Sequence, residues 1–373
     1  MFELRLLRKL DWLLLGAVLL LCGLGLLAIY SASRSGLLAQ GQPPTYLLQR
    51  QAAWMGIGLV ALAALLYPDY TLLRRWQRPL YLLVCLLLVA VMRGGQASSG
   101  AMRWIALGPL TLQPSELAKL AVIVVLAGLL PREGQPAPLP GGRLLRSGLY
   151  VLLPFLLVFR QPDLGTALVL LAIWGAMAFL AGARPAHLAA VALGGLLVFG
   201  LAWHQGVIKD YQKDRLRVFM DPEADPLGAG YHVIQSKIAI GSGRLAGKGW
   251  LHGTQSQLRF IPEQHTDFVF TVIGEELGLW GAGLVLGLYL VVLWRMLRAA
   301  EAASDAFGAL LAAGGAAMFA FQGLVNVGMT MSIMPVTGIP LPLLSYGGSS
   351  LLTNLAVVAL ALNVGMRRQK IRW

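Results

Sequence analysis

Long stretches of this chain carry no charge. Residues 12–33, 51–68, 164–183, 185–208 and 306–366 contain no Asp, Glu, Lys or Arg. These runs are continuous and rich in Leu and Ala. Barrel strands would alternate over short segments instead, so the pattern predicts helices. About 20 apolar residues cross a bilayer as a helix. On that basis the chain is expected to be all-α, a polytopic membrane protein of ten transmembrane helices. They fall near 12–32, 50–67, 79–92, 115–131, 147–161, 163–182, 186–205, 267–295, 305–331 and 349–366. The spans after Arg78, Ser115 and Arg146 are short and need snorkelling flanks or polar residues turned inward. The run from Trp12 shows no convincing small-residue cleavage site and reads as a retained helix.

Composition agrees. Of 373 residues, 57% are hydrophobic and 13% charged, and mean hydropathy is +0.69. A soluble core needs less apolar material than this. The net charge of +13 is informative through its placement. With the N- and C-termini in the cytoplasm, the inner segments hold Arg5, Arg8, Lys9, Arg74, Arg75, Arg78, Arg132, Arg143, Arg146, Arg184, Arg295, Arg298 and the tail Arg367, Arg368, Lys370 and Arg372. The short outer loops hold only Arg34, Arg50, Arg93, Arg103 and Arg160. That is the positive-inside asymmetry. The basic balance thus reports orientation and gives no reason to expect a nucleic-acid partner. Cys22 and Cys85 sit inside apolar runs and offer neither a disulfide framework nor metal-ligand spacing.

One segment departs from the pattern. Residues 206–266, between the seventh and eighth helices, form one large extracytoplasmic loop in a chain otherwise read as a single membrane domain over 1–373. Its aromatic residues and the amphipathic YHVIQSKIAI predict folding against the membrane. Loops this long are usually functional or disordered. The glycine-rich GSGRLAGKGWLHG, residues 241–253, could aim backbone N–H groups at an anion or could be a plain turn.

Few residues could do chemistry. Thr266 and Asp267 precede the apolar FVFTVIG, where either could cap the eighth helix. Alternatively, Asp267 is a general base facing a cavity, its acidity weakened by partial desolvation. Glu116 and Lys119 are three apart on one helical face and can pair, structurally or as a polar wall of a site. Asp163, Glu275, Glu276, Gln322 and Asn326 are further polar points in apolar surroundings, with helix–helix hydrogen bonding as the default.

Several of these stretches together resemble one family. QPSELAKL (113–120), QPDLGTAL (161–168), DPEADPLGAGYHVIQSKIAIGSG (221–243), GKGWLHGTQSQLRFIPEQHTDFVF (247–270) and GIPLPLLSYGGSS (338–350) look like the RodA/FtsW family of bacterial cell-wall polymerases, also called SEDS proteins. The GIPLP variant and WLHGTQSQ look more like its elongation and cell-shape branch than its division branch. Ser332 departs from the family pattern, which more often has Gly or Thr there.

The resemblance implies a peptidoglycan glycosyltransferase of the bacterial cytoplasmic membrane that polymerises lipid II. The nascent glycan rides on undecaprenyl diphosphate, and a class B penicillin-binding protein is the partner transpeptidase. The family's catalytic aspartate falls on Asp267 and its ion pair on Glu116 and Lys119. Arg103, Asp163, Lys237, Gln255, Ser256, Arg259 and Ser345 lie in or near the matching stretches and are expected to bind substrate or support the site. A divalent cation, Mg or Mn, is expected at an unassigned position. The alternatives are a lipid II flippase and a non-catalytic scaffold that activates a transpeptidase.

Overall fold

A computed structural model describes residues 8–94, 96–98, 101–107, 110–131, 138–206, 210–221, 225, 230–261 and 263–367. Arg5, Arg132, Arg368, Lys370 and Arg372, assigned above to the inner side, lie outside the described residues. Helices stand at every expected place: α1 (Trp12–Ala39), α2 (Tyr46–Leu66), α3 (Leu72–Gly94), α4 (Pro114–Leu129), α5 (Gly141–Arg160), α6 (Leu164–Leu180) and α7 (Pro185–His204). The long segment that follows holds α8 (Asp210–Met220), α9 (Tyr231–Gly243) and α10 (Thr254–Gln257). Then come α11 (Val269–Glu276), α12 (Gly278–Glu301), α13 (Ala306–Thr330) and α14 (Gly348–Met366). Among the described residues, 8 helices are long and apolar enough to cross a membrane, and α6 is a shorter apolar helix.

The short spans are resolved in both of the expected ways. Helices α3 and α5 run past their apolar stretches through Arg74, Arg75 and Arg78 and through Arg143 and Arg146, so charged flanks lengthen them. Helix α4 stays at 16 residues and turns its charges inward, with Glu116 and Lys119 both buried.

The core is built from α4, α6, α13 and α14. Small residues let these helices approach closely. A methyl group at Gly314 would meet the Met177 sulfur at 2.7 Å, and one at Gly315 would meet Val357 at 2.6 Å. Helix α7 is the opposite case. It has no buried residue, packs mainly on α6, and presents Leu193, Leu196, Leu197 and Val198 outward. Apolar all round and unburied, it suits a lipid environment.

Two features differ from expectation. A small antiparallel ribbon precedes α4: β1 (Gln96–Ser98), β2 (Ala101–Leu107) and β3 (Leu110–Leu112), in the order β1-β2-β3. Two of the strands have only three residues, and the seven of β2, AMRWIAL, do not alternate cleanly, so the ribbon does not stand out among apolar runs. The expected eighth helix is also broken, into α11 and α12, at Gly278 (φ 65). The glycine-rich segment after α9 fills the break. Lys248 and Gly249 donate their N–H groups to the carbonyls of Glu275 and Glu276, at 3.1 and 3.0 Å. Leu279 and Trp280 donate to those of Arg244 and Leu245, at 2.9 and 3.2 Å. Backbone groups freed by the break are thus satisfied by a neighbouring backbone. This segment is a backbone clamp, neither an anion cradle nor a loose turn. Its glycines are required: a methyl group at Gly243 or Gly247 would lie 2.0 or 2.1 Å from a carbonyl oxygen of α11.

Candidate active site

Asp267 sits two residues before α11, in the turn that leads from the long segment into the bundle. It is half-buried. Neither it nor Thr266 caps α11. The cap position is Phe268, which has no side-chain bond there, and the Thr266 hydroxyl turns back to the Glu263 carbonyl at 3.1 Å. The capping reading is therefore corrected: the chain is already turning at Glu263, which accepts the N–H of Asp267 at 3.1 Å. The Asp267 carboxylate is left for other work.

Its backbone is held firmly. Asn326 Nδ2, near the end of α13, donates to the carbonyls of Asp267 (2.9 Å) and Ile339 (2.8 Å). Gly338 has φ +70, and a methyl group there would lie 3.3 Å from Asp267 Oδ2. The main chain of 337–339 therefore passes directly beside the carboxylate. The same stretch packs on the start of α6, where a methyl group at Gly165 would meet the Thr337 carbonyl at 2.7 Å. Asp163 caps α6 through Thr166 N (3.2 Å), and its other oxygen takes a long contact from Gln113 Nε2 (3.5 Å). Gln113 in turn is tied through its N–H to Ser349 Oγ at 2.9 Å.

The acidity of Asp267 follows from these surroundings. Burial, then the nearby charge of Glu263, push its pKa up to about 6. The Arg215 guanidinium pulls against this, Asp163 adds to it, and the Thr266 hydroxyl draws it down. Arg215 also lines a cavity of about 190 Å³ with Phe219, His232, Ser332 and Pro335. On the other flank, Arg259, Glu263, Gln264 and His265 line one of about 710 Å³ against the end of α1 and the start of α2. Thr337 Oγ1, Asn326 Oδ1 and Gln322 Oε1 are buried with no protein partner. Buried polar atoms normally find one, so the region can accept a polar ligand.

The other expected site residues divide. Glu116 and Lys119 form a buried pair, with Nζ 2.8 Å from both carboxylate oxygens. Arg103 spends its guanidinium on the carbonyls of Gln161 (2.8 Å) and Pro162 (2.5 Å), where α5 ends. Gln255 and Ser256 are not brought to Asp267. Their N–H groups, at 2.8 and 3.0 Å, and the Ser256 hydroxyl, at 2.9 Å, all point at Glu275. Lys248 Nζ completes that shell at 2.9 Å. Ser345 Oγ accepts the N–H of Leu341 at 2.8 Å and shapes the turn before α14. Lys237 is exposed on α9, and Arg259 is exposed in the larger cavity with φ 62. Among the described residues no group of three or more His, Cys, Asp or Glu is placed to hold a metal ion.

Gln113 and the Thr337–Gly338 main chain were missed from sequence. Gln113 belongs to a recognisable motif, but nothing in its spacing says that it reaches Asp163. Gly338 reads only as a loop breaker until its neighbour is seen.

Comparison with known proteins bears on the same residues. The family model FTSW_RODA_SPOVE, cell cycle protein, matches residues 11–370. Peptidoglycan glycosyltransferase MrdB of Escherichia coli K12 is 41% identical over 326 residues, covering 87% of each chain. Peptidoglycan glycosyltransferase RodA of Treponema pallidum is 35% identical, covering 96% of this chain and 98% of its own. Among solved structures, one described as "Structural coordination of polymerization and crosslinking by a peptidoglycan synthase complex" matches with TM-score 0.80 and 38% identity, covering 95% of this chain and 97% of that one. Thermus thermophilus RodA matches with TM-score 0.71 and 33% identity, covering 97% and 98%. An aspartate-to-alanine mutant of that protein superposes equally well. The match spans every helix of the bundle and both sides of the Asp267 turn: the chain is an integral membrane protein and belongs to the FtsW/RodA/SpoVE family.

Proposed function

We propose that this chain is a peptidoglycan glycosyltransferase that polymerises lipid II during cell elongation, with Asp267 as its general base. In the reaction the acceptor sugar's 4-hydroxyl attacks the anomeric carbon of the donor glycan. The bond to undecaprenyl diphosphate breaks, and the proton passes to the Asp267 carboxylate. A diphosphate leaves without needing a proton, so one essential carboxylate suffices where glycosidases need two. The observation that carries this reading is the Asp267 turn itself. It presents a half-buried carboxylate with a raised pKa, free of capping duty and close to Arg215 of one cavity and Glu263 of the other.

Arg215 and Arg259, one in each cavity, are positioned to meet anionic groups of donor and acceptor. The lipid tails lie along the bundle, where α7 leaves an open apolar flank. Ten helices cross the bacterial cytoplasmic membrane, with α8–α10 on the outer face and both termini in the cytoplasm. A divalent cation, if it takes part, draws its ligands largely from substrate phosphate, and no step above depends on it. A class B penicillin-binding protein is the partner. The similar structure that coordinates polymerization with crosslinking supports this, because crosslinking is the transpeptidase's reaction.

The test is purified protein in liposomes supplied with lipid II. Wild type yields long glycan strands and Asp267→Ala yields none. Movement of labelled lipid II without polymer would establish the flippase reading. Unchanged polymer with Asp267→Ala would remove the base.

A further inference from the structure

At the end of the bundle opposite Asp267, the start of α1 and the end of α12 enclose a cavity of about 260 Å³. Four basic side chains, Arg8, Lys9, Arg295 and Arg298, line it against a single acid, Asp11. That acid is already committed. Its Oδ1 caps α1 through Leu14 N at 3.0 Å, and its Oδ2 takes Arg295 Nε at 2.7 Å and Nη2 at 2.6 Å. Arg295 and Arg298 lie 5.3 and 6.0 Å from the centre of the same indole, Trp294, which orders both guanidiniums. Arg298 also meets Glu301 at 3.5 Å, but with both side chains exposed, so that pair is weak. Arg8 and Lys9 are exposed and have no acidic partner among the described residues.

Simple orientation by positive charge needs basic residues near a helix end. It does not need a concave site, a shared indole or a carboxylate fixing one arginine. The remaining walls are apolar: Leu10, Leu14 and Leu362. Trp12, on the rim, is 64% exposed and begins an apolar helix. Indoles of this kind settle at the headgroup level.

We propose that this cavity binds the phosphodiester of an anionic phospholipid headgroup, of the phosphatidylglycerol type, with its glycerol backbone against the apolar walls. Basic pockets between membrane helices on the cytoplasmic side take such headgroups. The proposal rests on the membrane topology given above and not on the glycosyltransferase reading.

Native mass spectrometry of the purified full chain, with phosphatidylglycerol or phosphatidylcholine added to the micelles, tests it. Wild type retains phosphatidylglycerol selectively. Arg8→Gln/Lys9→Gln weakens that retention by about fivefold for each charge removed. Arg298→Gln weakens it further. Arg75→Gln/Arg78→Gln removes two exposed charges from α3, outside the cavity, and leaves retention unchanged. Equal retention of the two lipids, or equal losses from the two double variants, overturns the proposal. Displacement of the lipid by excess inorganic phosphate marks a free-anion site and overturns the lipid assignment. Because Arg8 and Lys9 are exposed and have no acidic partner among the described residues, their variant folds even if the Arg298 variant does not.

Discussion

Asn326 grips Asp267 by its backbone carbonyl and leaves the carboxylate alone. One amide nitrogen thereby ties the Asp267 turn to Ile339, on the strand of chain that passes beside the carboxylate. Replacing Asn326 with Leu removes that tie without touching a reacting group. We expect kcat for lipid II polymerisation to fall by about 10- to 100-fold with KM little changed, since misplaced groups lose rate before binding. Two carbonyls lose their donor, so thermal stability drops by about 1–3 kcal/mol. Steady-state kinetics and a melt in micelles report the two effects separately.

The pH profile follows from the electrostatics of the turn. A general base works only when unprotonated, so kcat/KM should decline as pH falls through about 6. Arg215 favours the ionised carboxylate, so Arg215→Gln moves this limb to higher pH. Glu263 disfavours it, so Glu263→Gln moves the limb to lower pH. Profiles of the three proteins, aligned on one axis, check both signs. Two variants that shift in the same direction would exclude Asp267 as the titrating group.

Glu275 is fully buried and accepts from Lys248, Thr254, Gln255 and Ser256. Removing one member of a buried charged network leaves the rest unpaired. Glu275→Ala is expected to destabilise the protein by about 3–5 kcal/mol and to loosen α10. Limited proteolysis near residues 250–258 would detect that loosening.

Glycines at the broken helix divide sharply. Gly247→Ala and Gly278→Ala each place a methyl group at positive φ within 2.3 Å of backbone. Each should cost well over about 1 kcal/mol. Gly283→Ala, in the interior of α12 with nothing within 4 Å, should be neutral or stabilising by up to about 1 kcal/mol. Unfolding temperatures of the three variants make the comparison.

The buried pair of α4 allows a double-variant test. Lys119→Met alone strands the Glu116 carboxylate and should destabilise by about 3–5 kcal/mol. Glu116→Leu/Lys119→Met should recover most of that loss, because well-packed apolar replacements are tolerated. If the pair walls the substrate site, the double variant folds and still makes no polymer.

Much of the bundle was legible because uncharged length is a strong signal. A helix stands at each expected place, the eighth in two pieces, and Asp267 stood out as an acid beside an apolar run. The ribbon before α4 was not legible, since two of its three strands have only three residues and AMRWIAL shows no clean alternation. Nor was the break at Gly278, because FVFTVIGEELGLWGAG reads as one helix. Only the arrival of Arg244–Gly249 explains why it parts. Gln255 and Ser256 were recognised as part of a motif, but a motif does not say what its members face, and they face Glu275. Ser332, the family departure, adopts φ 62, a conformation that glycine would hold without strain.

The seam between the clamp and the broken helix is made of main-chain amides. Arg244, Leu245 and Ala246 contribute carbonyls and spacing there, and all three are exposed. Their side chains can therefore drift through evolution while the mechanical coupling persists. A force applied to α9 would be felt at α11, next to the Asp267 turn, whatever residues decorate the route.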